Sequence, residues 1–152
     1  MLVVIAALAI GPGLPPFDRP AAGHAQTSNS TRPVPRAADR YRPPTAAPVI
    51  DPFRPPPEPW LAGNRGIEYG TTIGSPITAI GPGMVAFAGP VADRLVVSVD
   101  HPDGLRSSYV GLAGIAVAAG DRLVGGQMVG LSAGSLHLGV RRGSTYLDPA
   151  SL

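Results

Sequence analysis

Of the 19 prolines in this 152-residue chain, 14 precede Trp60, while 17 of the 20 glycines follow it. Proline fixes φ and lacks an N–H, whereas glycine opens turns and positive φ, so the two halves are different materials. The partition divides the chain near Trp60 into a proline-rich spacer over residues 26–59 and a folded domain over residues 60–152. The spacer is expected to be extended polyproline II or disordered, unable to build helix or sheet. Charge divides at the same place: residues 1–59 carry six Arg against four acids, and residues 60–152 carry six of each. The formal +2 and the pI near 9.5 therefore belong to the spacer. The neutral domain has no Arg stripe with interleaved aromatics, which argues against nucleic acid as a partner.

All 12 basic side chains are Arg, because the sequence has no Lys, and it has no Cys either. These absences exclude disulfides, zinc ribbons, thiol nucleophiles, Schiff bases and swinging-arm lysines. Residues Leu2–Ile10 form an apolar run of nine, followed by small residues up to Ala25. Nine residues are too few to span a bilayer, which takes about 20 in a helix. The run is expected to be the core of a signal peptide over residues 1–25, giving a secreted or cell-envelope location with no transmembrane anchor. No positive residue precedes it, and the simpler alternative is an apolar N-terminus that stays attached.

Beyond Trp60, short apolar runs alternate with glycine-containing turns. Gly74–Ile80, Gly83–Gly89, Leu95–Val99, Leu105–Val110, Gln127–Leu131 and Leu136–Val140 each suit a strand, and none holds a period of 3.6. Pro102-Asp103-Gly104 predicts a hairpin. The expected class is all-β, a small antiparallel sheet with little helix.

The order of motifs is more specific. Gly63-Asn64-Arg65-Gly66-Ile67-Glu68, Gly74-Ser75-Pro76-Ile77-Thr78-Ala79 and Gly83-Met84-Val85-Ala86-Phe87-Ala88-Gly89 are followed by Ser107-Ser108-Tyr109, Val117 to Gln127, Ser135-Leu136-His137 and Tyr146-Leu147-Asp148-Pro149. The series resembles the LytM/lysostaphin-type zinc endopeptidase domain over almost all of residues 60–152. Val117 to Gln127 is also similar to the hairpin of biotinyl and lipoyl carrier domains, but a carrier needs a modifiable lysine and this chain has none.

The resemblance implies a groove holding one zinc and a substrate of bacterial cell-wall peptide cross-links. In that family a His-x-Gly-x-Asp segment and the second His of His-x-His bind the metal, leaving a fourth position where bound water is acidified. The first His of His-x-His and the His of Tyr-x-His assist the reaction. Here Asn64 stands at the first ligand position, Glu68 at the Asp, Ser135 at the first His of His-x-His and Gly111 at the His of Tyr-x-His; only His137 is kept. An amide oxygen is a poor zinc ligand, Ser135 is a weak base, and Gly111 has no side chain. No catalytic residue and no cofactor are therefore expected, with His137 and Glu68 as a vestigial metal pair. Arg65, Arg141 and Arg142 are candidate contacts to carboxylates of a wall peptide. The expected function is an exported, non-catalytic domain that binds peptidoglycan or regulates a cell-wall hydrolase. The alternative is a zinc endopeptidase with altered ligands, using Glu68 and His137. His101, beside the Asp-Gly turn, is expected to serve the turn, and His24 lies in the expected signal.

Overall fold

The computed structural model describes residues 40–58 and 60–152. The expected signal, His24 and the first part of the expected spacer lie outside these residues. Nine strands follow in chain order: β1 (Val49–Asp51), β2 (Gly66–Tyr69), β3 (Pro76–Thr78), β4 (Gly83–Val91), β5 (Arg94–Asp100), β6 (Leu105–Ile115), β7 (Arg122–Leu123), β8 (Met128–Arg142) and β9 (Thr145–Leu147). A short 3-10 turn, Pro149–Ser151, is capped by the Asp148 carboxylate, which accepts from the Ala150 N–H at 2.9 Å. The all-β expectation holds for these residues. All pairings are antiparallel in one sheet of order β1-β2-β8-β6-β5-β4-β7, with β3 and β9 also paired to β8.

Period-two alternation on the central strand β8 separates core from site. Leu136, Leu138 and Val140 are buried and pack with Ile67, Tyr69, Val97, Val99 and Tyr109, while Ser135, His137, Gly139 and Arg141 face the other way. The two runs expected as separate strands, Gln127–Leu131 and Leu136–Val140, are parts of this one strand. Its pairing with β6 shifts register between Val110 and Leu112 and again between Leu112 and Gly114. These irregularities let the strand bend without ending. The β5–β6 hairpin falls at Pro102-Asp103-Gly104 as expected, with Gly104 at φ 84° and its N–H bonded to His101 O at 3.0 Å.

The spacer expectation is corrected over residues 40–58. Tyr41 is buried, Arg42 N–H bonds Ile80 O, and Thr78 N–H bonds Pro44 O, both at 2.9 Å. Val49–Asp51 is a strand paired with β2, and Arg54 and Asn64 exchange two backbone bonds of 2.9 Å. Proline forbids a central strand but not an edge one, and β1 is an edge flanked by Pro48 and Pro52. Three glycines of the domain leave room for this segment. A Cβ on Gly63 would meet Pro56 Cδ at 2.7 Å, one on Gly70 the Ile50 Cγ2 at 2.8 Å, and one on Gly81 the Tyr41 ring at 2.7 Å. The segment is built into the fold. Trp60, taken as the boundary marker, is 78% exposed.

His101 is also more than a turn residue. It is 5% exposed, with Nδ1 2.7 Å from Pro82 O and Nε2 2.9 Å from Ser107 Oγ. Ser107 Oγ lies 3.3 Å from Tyr109 Oη, which accepts the Ile80 N–H at 2.8 Å. The Tyr41 ring meets the imidazole edge-on at 5.2 Å. A buried carbonyl can only accept, so Nδ1 carries a proton and the neutral ring suits the site. Desolvation pushes the His101 pKa down, against the opposing pull of Pro82 O, Asp103 and Asp100.

Candidate functional site

The cleft on the outer face of the sheet, about 440 Å³, is lined by Asp51, Gly63, Asn64, Arg65, Glu68, His137 and Tyr146. Glu68 and His137 are direct partners across β2 and β8, so their side chains share a face. His137 Nδ1 lies 3.1 Å from Glu68 Oε1. A carboxylate only accepts, so Nδ1 carries a proton, and Nε2 has no partner among the described residues. That nitrogen lies over Gly66, where a Cβ would come within 2.8 Å of it. The facing pair Gly66 and Gly139 therefore makes a flat floor beside the histidine.

Asn64 is 8% exposed, and its amide makes three hydrogen bonds to the backbone. Nδ2 donates to Asp51 O at 3.2 Å and Pro52 O at 3.1 Å, while Oδ1 accepts the Gly66 N–H at 3.1 Å. It fastens the 51–54 segment to the start of β2. An imidazole, with no more than one donor and one acceptor when neutral, could not make the same three bonds. At the position where the resemblance places a metal ligand, this chain carries a structural clamp.

Ser135 is exposed on the His137 side of β8 and is not among the residues lining this cleft. Gly111 sits at φ 95°, and a Cβ there would lie 2.7 Å from Ser135 O. The backbone at this point has taken a form that excludes any side chain. Nearby, Tyr109 is wholly buried, and burial pushes its phenol up to about 12.

The three arginines divide. Arg65 lines the cleft, and its guanidinium reaches Leu61 O at 3.5 Å. Arg141 is on the His137 face, next to Arg106 across the strand pair, but it lines a separate hollow with Asp100, Gly104 and Gly143 and not this cleft. Arg142 is not a groove residue: strand alternation turns it to the opposite face, in register with buried Leu105. Two lining residues, Asp51 and Tyr146, escaped the sequence reading. Asp51 lay in the expected spacer and is held by Arg54 at 2.7 Å; only the proline-free triplet Val49-Ile50-Asp51 signalled its strand.

The zinc implied by the resemblance can be tested against these donors. Asn64 is spent on the backbone, Asp51 on Arg54, and Glu68 and His137 bond each other. Among the described residues no group of three or more His, Cys, Asp or Glu is arranged to hold a metal ion. The donor set does not fit a three-ligand zinc site.

Comparison with known proteins agrees on class. Residues 62–149 match the model of Peptidase family M23, and the chain belongs to that family. An uncharacterized protein of Mycobacterium tuberculosis and one of Mycobacterium bovis are each 35% identical over 123 residues, covering 66% of this chain and 49% of theirs. The chain thus spans about half the length of those relatives. Among solved structures, Helicobacter pylori Csd3 superposes with a TM-score of 0.64 at 25% identity, over 74% of this chain and 32% of that one. The antimicrobial peptidase lysostaphin from Staphylococcus simulans gives 0.57 at 25%, over 68% and 48%. A complex of SpoIIIAH and SpoIIQ, at 21% identity and 0.59, shares the fold over 68% of this chain and 90% of that one.

Proposed function

We propose that this protein is an exported, non-catalytic member of its peptidase family that binds cell-wall peptidoglycan or regulates a cell-wall hydrolase. One observation carries the reading: the residue at the first expected metal position, Asn64, is a neutral amide tied to three backbone groups, its oxygen engaged by the Gly66 N–H. The glycine at the expected proton-shuttle position, locked at φ 95°, supports it. What is left is a groove with a flat glycine floor, the Glu68–His137 pair and Arg65, with Arg141 further along the same face of β8 in a separate hollow beside Asp100 and Arg106. Such a groove suits an extended peptide whose carboxylates meet guanidinium groups.

The zinc-endopeptidase alternative draws on one feature, the placing of Asp51, Glu68 and His137 around one cleft. Metal analysis of the purified chain and digestion of purified peptidoglycan with and without added zinc separate the two. The non-catalytic reading expects sub-stoichiometric zinc, no released peptide, and co-sedimentation with peptidoglycan or capture of a wall hydrolase. Stoichiometric zinc with peptide release, both abolished by His137→Ala, would overturn it. Export is tested separately, by the size and location of the mature chain in its own cell.

A further inference from the structure

The far end of the His137 face is built differently from the cleft. On β8 the outward positions are His137, Gly139 and Arg141, and their partners on β6 are Val110, Ser108 and Arg106. Arg106 and Arg141 stand directly opposite each other, and like charges so placed cost stability unless something compensates them. The one carboxylate lining the hollow there is Asp100, the partner of Arg106 on β5. Arg106 takes both of its oxygens, Oδ1 by Nε at 2.5 Å and Oδ2 by Nη2 at 2.8 Å. These bonds, against a smaller opposing effect of burial, hold the Asp100 carboxyl below its ordinary range, and Arg141 adds to the pull. Asp103, beside Gly104, is bonded by the Tyr41 hydroxyl instead, at 2.8 Å. Two guanidiniums thus line the hollow with one carboxylate, and one positive charge is left over. Among the described residues Arg141 makes one hydrogen bond, from Nη1 to Gly143 O at 3.4 Å, so four of its five N–H groups have no protein partner.

The hollow holds about 290 Å³ and is lined by Asp100, Gly104, Arg106, Arg141 and Gly143. Both strands turn back beyond it, at Gly104 (φ 84°) and Gly143 (φ 58°), and a Cβ on either would meet nothing within 4 Å. The turns therefore leave the hollow open. From Arg141 back to His137 is four residues of β8, about 13 Å by the rise of a strand. On the outward face of β6 and β8 only Gly139 and Ser108 lie between, and the His137 ring leans into this interval, with Nε2 3.7 Å from where a Cβ on Gly139 would be.

A chain laid along β8 from the cleft reaches the hollow last, and the last group a peptide presents is its C-terminal carboxylate. A guanidinium pairs with a carboxylate bidentately. We propose, on the reading of this face as a peptide groove, that the hollow is a subsite for the free C-terminal carboxylate of a short peptide. Arg141 holds the carboxylate, Arg106 is positioned beside it by Asp100, and His137 Nε2 meets the peptide backbone upstream.

Three probes test this on the full chain: acetyl-trialanine with a free carboxylate, the same peptide as its C-terminal amide, and an amidated acetyl-Ala-Glu-Ala whose carboxylate is on a side chain. Binding is followed by NMR, through the arginine Nε–H signals and the backbone amides of β6 and β8. The free acid is expected to saturate one site with shifts centred on Arg106 and Arg141, and both amides to bind at least about fivefold more weakly. Arg141→Gln should weaken the free acid about fivefold and His137→Ala about threefold. Arg142→Gln, which removes the same charge from the next residue on the opposite face, should leave binding unchanged. Equal binding of the free acid and either amide, a loss in Arg142→Gln as large as in Arg141→Gln, or no saturable site would overturn the proposal. Co-sedimentation with peptidoglycan separates it from the broader reading. A chain that binds the wall without preferring the free acid would sink the subsite alone; one that prefers the free acid but ignores peptidoglycan would keep the subsite and sink the wall ligand.

Discussion

His101, in the turn that joins β5 to β6, and His137, on β8, stand in opposite surroundings. His101 is sealed in the core, with both nitrogens bonded and a chain of hydroxyls leading on to Tyr109 and the Ile80 amide. His137 keeps 26% of its side chain exposed and has one partner, Glu68. The scaffold histidine is fully served, whereas the histidine at the expected active site stands among groups diverted to other work. The interactions that hold the sheet are complete, while the donors around His137 among the described residues bond one another or the chain.

The largest break in that comparison should come from His101→Ala. It removes a buried ring and strands Pro82 O and Ser107, costing about 4 kcal/mol by the scale of large-to-small core changes with lost hydrogen bonds. Chemical denaturation measures it directly. The same residue sets a pH response. Its folded pKa is lowered, so its contribution is present above the unfolded value near 6.5 and is lost as pH falls through and below it. Melting temperature should therefore drop on acidification between pH 7 and 5, and a folded His101→Gln variant should show a flatter profile. An identical profile in that variant would assign the acid sensitivity elsewhere.

Gly111→Ala comes next, at about 3 kcal/mol, because it forces a side chain onto φ 95° against Ser135 O. It bears on whether the backbone at this position could carry a histidine. If a histidine were tolerated at 111 with no loss of stability, the local backbone would be adaptable and the absence of a shuttle only a missing side chain. The expected result is that Gly111→His unfolds the domain earlier in denaturant than Ser135→His, which changes an exposed position.

Asn64→Ala should cost about 2 kcal/mol, because it leaves the buried Gly66 N–H without its acceptor and frees the part-buried carbonyls of Asp51 and Pro52. Its signature is local: limited proteolysis should cut the 51–58 segment while β8 amides stay protected from exchange. Asn64→His, the change that restores the family ligand, should do the same and gain no zinc. Zinc binding with an intact segment would mean that the clamp is dispensable.

Much of this architecture was legible because it rests on local rules. The glycine-rich domain, the Asp-Gly hairpin and four of the strands follow from turn chemistry and alternation. The clamp was not legible: nothing in the one-letter pattern says that Asn64 spends its amide on residues 51, 52 and 66, since the contact joins a segment that proline count assigned to a spacer. Arg142 was misplaced for a simpler reason. Adjacent residues on a strand face opposite ways, so Arg141 and Arg142 could not both line the groove. The glycines tell the same story from the other side: Gly63, Gly70 and Gly81 read as turn residues, yet each is the space into which the earlier segment packs.

The smallest expected effect is also the one that weighs most on function. His137→Ala removes a partly exposed pair with Glu68 at 3.1 Å, and such pairs contribute about 0.5 kcal/mol. Leu136 and Leu138 on either side hold the strand in the core without help from the ring, so the fold should not register the change beyond that amount. A ligand in the groove should register it, because Nε2, with no partner among the described residues, lies above the Gly66–Gly139 floor. Peptidoglycan co-sedimentation that weakens in His137→Ala, with the melting temperature held, would place the retained histidine in recognition. Unchanged co-sedimentation would leave Arg65 and Arg141 as the contacts to vary, and a loss of several kcal/mol would show that His137, like His101, serves the scaffold.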